Sequence, residues 1–170
     1  MSKKGSIEII RNSELDDYLK SGLGNISPEH KNGKDPKIQE GLPGTALGSI
    51  NLDTAIIELL LKWKKIHKGN NPKTPDYLII VNRERESNVR DKFLIVEIHE
   101  PSETEVFEKF KTADHFLHSR FPELNSFRKI KIFIPASKKA SPSKNSRFAK
   151  NGVFWLKSLN IDEFLKKMES

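Results

Sequence analysis

Residues 77–98 hold two apolar runs separated by a short charged segment, and this pattern constrains the fold more than any other. The runs at 77–81 and 93–98 are rich in β-branched and aromatic residues, which favour strands. The segment 82–92 is short enough to join an antiparallel pair. Because nearly every residue of both runs is apolar, we expect both faces of this pair to be covered.

Helical patterns lie on either side of the two runs. Residues 54–68 are apolar over much of a helical circumference, with Asp53 as the expected cap and Gly69 as the stop. Residues 103–121 carry an apolar stripe. Further strands are predicted at 130–134 and 153–156, and a last helix capped by Asn160 at 161–168. This order predicts an α/β (α+β) fold in which helices flank a sheet.

The first 50 residues look irregular. A short strand is predicted at 7–10 and a short helix, capped by Ser13, at 14–20. Residues 25–48 are rich in glycine, proline, lysine and asparagine, which predicts a long loop. The 170 residues are therefore expected to form a single domain, with a loop-rich N-terminal extension at 1–50 and a core at 51–170.

Charge and cysteine content narrow the function classes. The net charge of +7 favours anionic partners such as nucleic acid or acidic lipid, although it also fits ordinary solubility. The absence of cysteine excludes disulfides, thiolate catalysis and cysteine-ligated metals. The N-terminus has no apolar signal region and the apolar runs are too short for a membrane span, so a cytoplasmic protein is expected.

Two basic segments are candidate nucleic-acid contacts. Both lie in stretches predicted as loops, where lysine and arginine stand among serine and asparagine, a mixture suited to phosphate. A solvated loop is the alternative for each. The residues are Lys31, Lys34 and Lys37 in the first segment and Lys138, Lys139, Lys144, Arg147 and Lys150 in the second.

Two acidic residues stand at the ends of the predicted strand pair. Asp76 begins one strand and Glu97 lies near the end of the next, with His99 on the same face as Glu97. If the strands are neighbours, the two carboxylates converge and offer the hard oxygen ligands that Mg²⁺ prefers. The alternative is a structural ion pair, because a buried glutamate needs a partner. The lysines considered for that pair are Lys92, Lys129 and Lys131.

Pro75-Asp76 followed by Glu97-Ile98-His99 resembles the motif of the PD-(D/E)XK nuclease superfamily, which includes restriction endonucleases, Holliday-junction resolvases and repair nucleases. The likeness covers residues 52–135. It implies a restriction-endonuclease-like fold with a central mixed sheet, and cleavage of DNA with Mg²⁺ or Mn²⁺. In that family's terms Asp76 and Glu97 would be catalytic metal ligands, His99 a base or phosphate contact, and Glu58 the accessory acid on the preceding helix.

The chain departs from the family pattern at two points. His99 stands where the family has lysine, and Lys109 or Lys111 on the following helix could supply the missing charge. The family also has a strand before the Pro-Asp strand, for which residues 69–74 are too short. Two functions therefore stay open, namely a metal-dependent endonuclease and a non-catalytic module that binds nucleic acid or protein. Either could act as a homodimer or with a partner subunit.

Overall fold

A six-stranded mixed sheet forms the centre of the computed structural model, which describes residues 5–21, 23–27, 37–40, 46–81, 92–98, 103–135 and 148–169. The strands are β1 (Leu19–Lys20), β2 (Leu23–Ser27), β3 (Lys37–Glu40), β4 (Ala46–Asn51), β5 (Tyr77–Val81), β6 (Lys92–Ile98), β7 (Arg128–Ile134), β8 (Val153–Trp155) and β9 (Leu159–Asn160). The helices are α1 (Ser6–Arg11), α2 (Leu52–Lys62), α3 (Glu103–Arg120) and α4 (Ile161–Glu169). The predicted α/β class with helices flanking a sheet is confirmed.

The central sheet has the order β1-β4-β5-β6-β7-β8. Its strands are antiparallel from β1 to β6, whereas β6, β7 and β8 run parallel. Strand β5 pairs with β6 as predicted, with Tyr77 opposite Val96 and Val81 opposite Lys92. A smaller sheet, β3-β2-β9, is separate from it in hydrogen bonding but packs against one of its faces.

The unbroken apolar character of β5 and β6 is explained by cover on both sides. Alternate residues such as Ile80 and Phe93 belong to a core shared with α1, α2 and α3. Their neighbours Ile79 and Leu94 belong to a second core shared with β2, β9 and α4. Because every residue of β6 is buried, a charged side chain on this strand has no route to bulk water.

Two expectations for the N-terminal extension are wrong in its described parts. Residues 6–11 form α1 rather than a strand, and the segment predicted as a loop contributes to β2, β3 and β4. Strand β4 joins the central sheet beside β5 and thus supplies the strand that residues 69–74 could not. Gly48 suits the close pairing of β4 with β1, since a Cβ there would lie 2.8 Å from Cδ1 of Leu19 and 3.2 Å from the Lys20 carbonyl oxygen.

Helix α2 is shorter than its apolar pattern indicates. Asn51 caps it rather than Asp53, accepting a hydrogen bond from the Thr54 N–H, and the helix ends at Lys62 rather than 68. Lys64 adopts the left-handed conformation, with φ of 58°. The Lys64 and Lys65 N–H groups donate to Leu61 and Leu60, which closes the helix end in a Schellman motif.

Replacing Lys64 with glycine should stabilise the protein. A lysine at φ 58° bears a steric cost that glycine avoids, so we expect a gain of about 0.5–1 kcal/mol in the free energy of unfolding. Urea denaturation measures it. Lys64→Ala keeps the Cβ and is the matched control, which should stay near wild type. Equal stability of the glycine and alanine variants would contradict this explanation.

Two further caps agree with the sequence. Ser13 Oγ accepts a hydrogen bond from the Leu15 N–H, although the turn it starts is a 3₁₀ helix over Glu14–Tyr18. Asn160 Oδ1 accepts from the Glu163 N–H at the start of α4. Among the described helices, none combines the length and apolar character needed to cross a membrane.

Candidate active site

The Pro75-Asp76 turn is anchored where three elements meet. The Asp76 N–H donates to the Val96 carbonyl on β6 at 3.0 Å, and the Asp76 carbonyl accepts from the Leu52 N–H at the start of α2 at 2.9 Å. Pro75 itself is buried. The backbone of Asp76 is therefore fixed at the edge of the sheet where β5 begins and β6 ends.

One backbone N–H holds two carboxylates side by side. The Ile98 N–H donates to Oδ2 of Asp76 at 2.8 Å and also lies 3.1 Å from Oε1 of Glu97. The two side chains come from different strands, and the antiparallel pairing of β5 with β6 brings them to one edge. The convergence of Asp76 and Glu97 that the strand order predicts is thus present.

Glu97 is an acid in an environment that disfavours its charge. Its side chain is 0% exposed, and burial, followed by the hydrogen bond to Asp76 and that residue's negative charge, raises the pKa of Glu97 to about 9. Lys109 opposes these effects without overcoming them. At neutral pH and without a cation, Glu97 therefore keeps its proton and can donate it in a hydrogen bond to Asp76.

Lys109 is the cation beside this pair. Its ammonium Nζ lies 2.5 Å from Oε2 of Glu97, and its side chain is 19% exposed. Oε2 is fully buried and, among the described residues, no donor meets it in good hydrogen-bond geometry, so the contact with the Lys109 ammonium is electrostatic and strengthens when Glu97 ionises. The pair with Glu97 is thus made from α3 and not from within the sheet.

The three lysines of the sheet that the sequence offered as partners of Glu97 do not contact it. Lys131 lies 2.5 Å from Asp114 on α3, and Lys129 donates to the Leu124 carbonyl. Lys92 stands at the opposite end of β6 from Glu97. A pair between Glu97 and any of the three is therefore wrong.

The donor set fits a divalent cation. Two carboxylates supply hard oxygens, and a buried oxygen without a directed donor is a position that a cation would satisfy. Mg²⁺ commonly uses one or two carboxylates and keeps several waters, so the absence of three clustered ligands among the described residues is compatible with it. His115 and His118 lie one turn apart on α3, but both are exposed and the described residues add no third ligand for zinc.

Glu58 is not brought to the carboxylate pair. It is exposed on α2, near Tyr18, whose pKa is raised by burial and then by the charge of Glu58. The acid of α2 that lies nearer the site is Asp53, whose Oδ1 accepts a hydrogen bond from the Thr74 hydroxyl, two residues before Asp76. The sequence feature that could have identified Asp53 as a residue near the site is its position in the first turn of α2.

No known family model, curated protein or solved structure matches this chain. The resemblance to the PD-(D/E)XK superfamily therefore rests on the Pro75-Asp76 and Glu97 pattern and stays a prediction. Lys109 adds to the comparison, because it puts a lysine ammonium on the glutamate where the motif residue is histidine.

Most of the predicted phosphate contacts lie outside the described residues. These are His99, Lys31, Lys34, Lys138, Lys139, Lys144 and Arg147. Lys37 belongs to β3, but its side chain is not among those described. Lys150 is exposed in a helical turn at 148–150. The two basic segments therefore stay predictions.

Proposed function

We propose that this chain is a metal-dependent phosphodiesterase that cleaves nucleic acid, with DNA as the first substrate to test. The observation that carries the proposal is the bridging of Asp76 and Glu97 by the Ile98 N–H, with the Lys109 ammonium on the buried carboxylate. A structural ion pair needs one acid and one base. A second carboxylate beside the first is costly unless a proton or a cation lies between them, and a divalent cation can displace the proton.

Each residue has a distinct part in this proposal. Asp76 and Glu97 hold the metal, and a bound Mg²⁺ supplies a more acidic water and offsets charge on the phosphate. The Ile98 N–H keeps both carboxylates in place before substrate arrives. The Lys109 ammonium, being partly exposed, neutralises the phosphate in the role that the family gives to its motif lysine.

The deciding experiment is a cleavage assay. Plasmid, branched and single-stranded DNA are incubated with purified protein and Mg²⁺ or Mn²⁺, beside EDTA and Glu97→Ala controls. Cutting that requires the metal and is lost in both folded Glu97→Ala and Asp76→Ala variants supports the proposal. Cutting that survives in both variants refutes this site.

Metal binding should depend steeply on pH. Because the pKa of Glu97 is raised to about 9, the pair carries a proton below that pH, and a cation must displace it. We expect the apparent Mg²⁺ affinity to rise by up to about tenfold per pH unit between neutrality and that pKa. Calorimetry in two buffers of different ionisation enthalpy measures the released proton.

The control for this linkage is Asp162→Asn, which removes an exposed carboxylate on α4. Its Mg²⁺ titration should follow wild type. An affinity that does not change with pH, with no proton released, would contradict the protonated state of Glu97.

A non-catalytic binding module is the second candidate, and the ion pair itself favours it. Lys109 already offsets the charge of Glu97, so the pair could be kept for structure alone. In that case nucleic-acid binding falls steeply with salt, requires no divalent metal and gives no products. Binding that is absent at low salt would leave a protein-interaction domain, as a homodimer or a partner subunit.

A further inference from the structure

A groove of about 980 Å³ lies between α2, α3 and residues 71–73. Lys73 lines one end of it and contacts Glu105 and Glu108 on α3. Lys73 stands three residues before Asp76, and Glu108 adjoins Lys109 in the chain. The end of the groove at Lys73 is therefore three residues from Asp76 in the chain, and from there the groove follows α3 towards Arg120.

The groove has an apolar floor and a basic rim. Leu60 and Phe116 belong to the floor, while Lys65, Lys111, His115 and Arg120 are exposed along its sides. Among the described residues, Glu108 is the one acid that lines it, and Glu108 already lies 3.8 Å from Lys73. The described rim therefore carries an excess of positive charge that is not cancelled from within.

The floor is held in place by aromatic packing. Phe116 stacks on Trp63 with ring centroids 5.9 Å apart, and the Arg120 guanidinium lies 5.1 Å from the Trp63 ring centre. These contacts fix the guanidinium at the far end of the groove from Lys73. A ligand would thus meet a preformed floor at Phe116 and a fixed guanidinium at Arg120.

We propose that this groove binds an unpaired nucleic-acid strand and leads it to the carboxylate pair. The inference rests on the proposed function and names its substrate class. Residues 108–119 of α3 span about 16 Å at the helical rise, which is enough for several nucleotides. A strand with free bases uses both surfaces, its phosphates on the rim and its bases or sugars on the floor.

A duplex uses this groove less well. Its bases are stacked inside, and its outer surface presents mainly phosphate and sugar, so the apolar floor would lie against a charged backbone. A neutral apolar ligand would leave the basic rim without a counter-charge. An acidic peptide would satisfy the rim and is distinguished by the test.

The test measures binding without cleavage. A fluorescein-labelled oligothymidylate of about 12 nucleotides, within the usual range for single-strand sites, is titrated in EDTA and followed by anisotropy beside its duplex with oligoadenylate. We expect the single strand to bind more tightly. The Lys65→Glu/Lys111→Glu variant should bind it about tenfold or more weakly and with a shallower salt dependence.

The control is Lys166→Glu, which makes the same type of charge change on α4, across the sheet from the groove. It should bind as wild type does. Tighter duplex binding, equal losses in both charge variants, or displacement of the strand by polyglutamate but not by unlabelled oligothymidylate would each overturn the proposal.

Different results would refute the proposed groove and the proposed reaction. Glu97→Gln should abolish cleavage and leave oligothymidylate binding intact, because Glu97 does not line the groove. Strand binding at the groove with no cleavage under any metal condition would refute the proposed reaction. Metal-dependent cleavage with unchanged binding in Lys65→Glu/Lys111→Glu would refute the groove alone.

Discussion

Replacing Glu97 with glutamine should abolish metal-dependent cleavage and, above neutral pH, make the metal-free protein more stable than wild type. The variant removes one of two converging metal ligands. It also removes a buried acid whose pKa is raised to about 9, while the glutamine amide can donate to Asp76 as the protonated carboxyl does. The Glu97 carboxyl is thus expected to lower the stability of the metal-free protein above neutral pH.

The sign of the stability effect follows from proton binding. In the unfolded chain Glu97 loses its proton near its ordinary pKa of 4.5, whereas the folded chain keeps it to about 9. Between these values the folded state holds the extra proton, so the free energy of unfolding falls as pH rises. The slope is at most about 1.4 kcal/mol per pH unit for one proton.

Urea denaturation in EDTA tests this expectation. From about pH 5.5 to about pH 8.5 the stability of Glu97→Gln relative to wild type should rise by up to about 4 kcal/mol. Glu163→Gln, at an exposed position on α4, should follow wild type throughout. A Glu97→Gln protein that is less stable than wild type at the higher pH would show that the carboxylate is ionised and structurally needed.

The sequence predicted those parts of the fold in which burial in a core produces a visible apolar pattern. Continuous apolar character marked β5 and β6 because two cores cover them. The apolar stripe marked α3 because it packs on the first of those cores. The carboxylates converge because strand pairing alone fixes which ends meet.

Tertiary contacts and backbone conformation determine the parts of the fold that the sequence did not predict, namely β4 and the end of α2. Strand β4 resembles a loop in composition because it contains Gly48, where a Cβ would lie 2.8 Å from Cδ1 of Leu19 and 3.2 Å from the Lys20 carbonyl oxygen, and local propensity does not register such tertiary contacts. Helix α2 ends early because Lys64 takes a conformation that sequence rules assign to glycine. Trp63, at the C-cap, packs against the core without belonging to the helix.

The sequence indicated that Lys109 or Lys111 supplies the positive charge of the site, but it did not distinguish between them. Lys109 lies one turn beyond Val106 and beside Phe110, so it borders the buried stripe and can reach Glu97. Lys111 is exposed on the groove side. Sequence gives the spacing along α3, but the rotation of the helix against the sheet depends on packing that only the structure provides.

Replacing Lys109 with methionine should separate metal binding from cleavage. Methionine keeps much of the apolar stem but removes the ammonium that lies 2.5 Å from Glu97. If that ammonium neutralises the phosphate, cleavage should fall by about a hundredfold to a thousandfold. Mg²⁺ affinity at a pH above the Glu97 pKa should be retained or increased, because a positive charge next to the cation is gone.

Glu97→Gln should differ from this variant in metal binding, because it should lose Mg²⁺ binding as well as cleavage. Lys109→Arg keeps the charge and should recover part of the activity, whereas Lys166→Met on α4 is the matched control and should cleave as wild type does. Full activity in Lys109→Met would remove Lys109 from the reaction. Loss of Mg²⁺ binding in a folded Lys109→Met protein would show that the lysine positions Glu97, so that the ammonium acts through the carboxylate rather than on the phosphate.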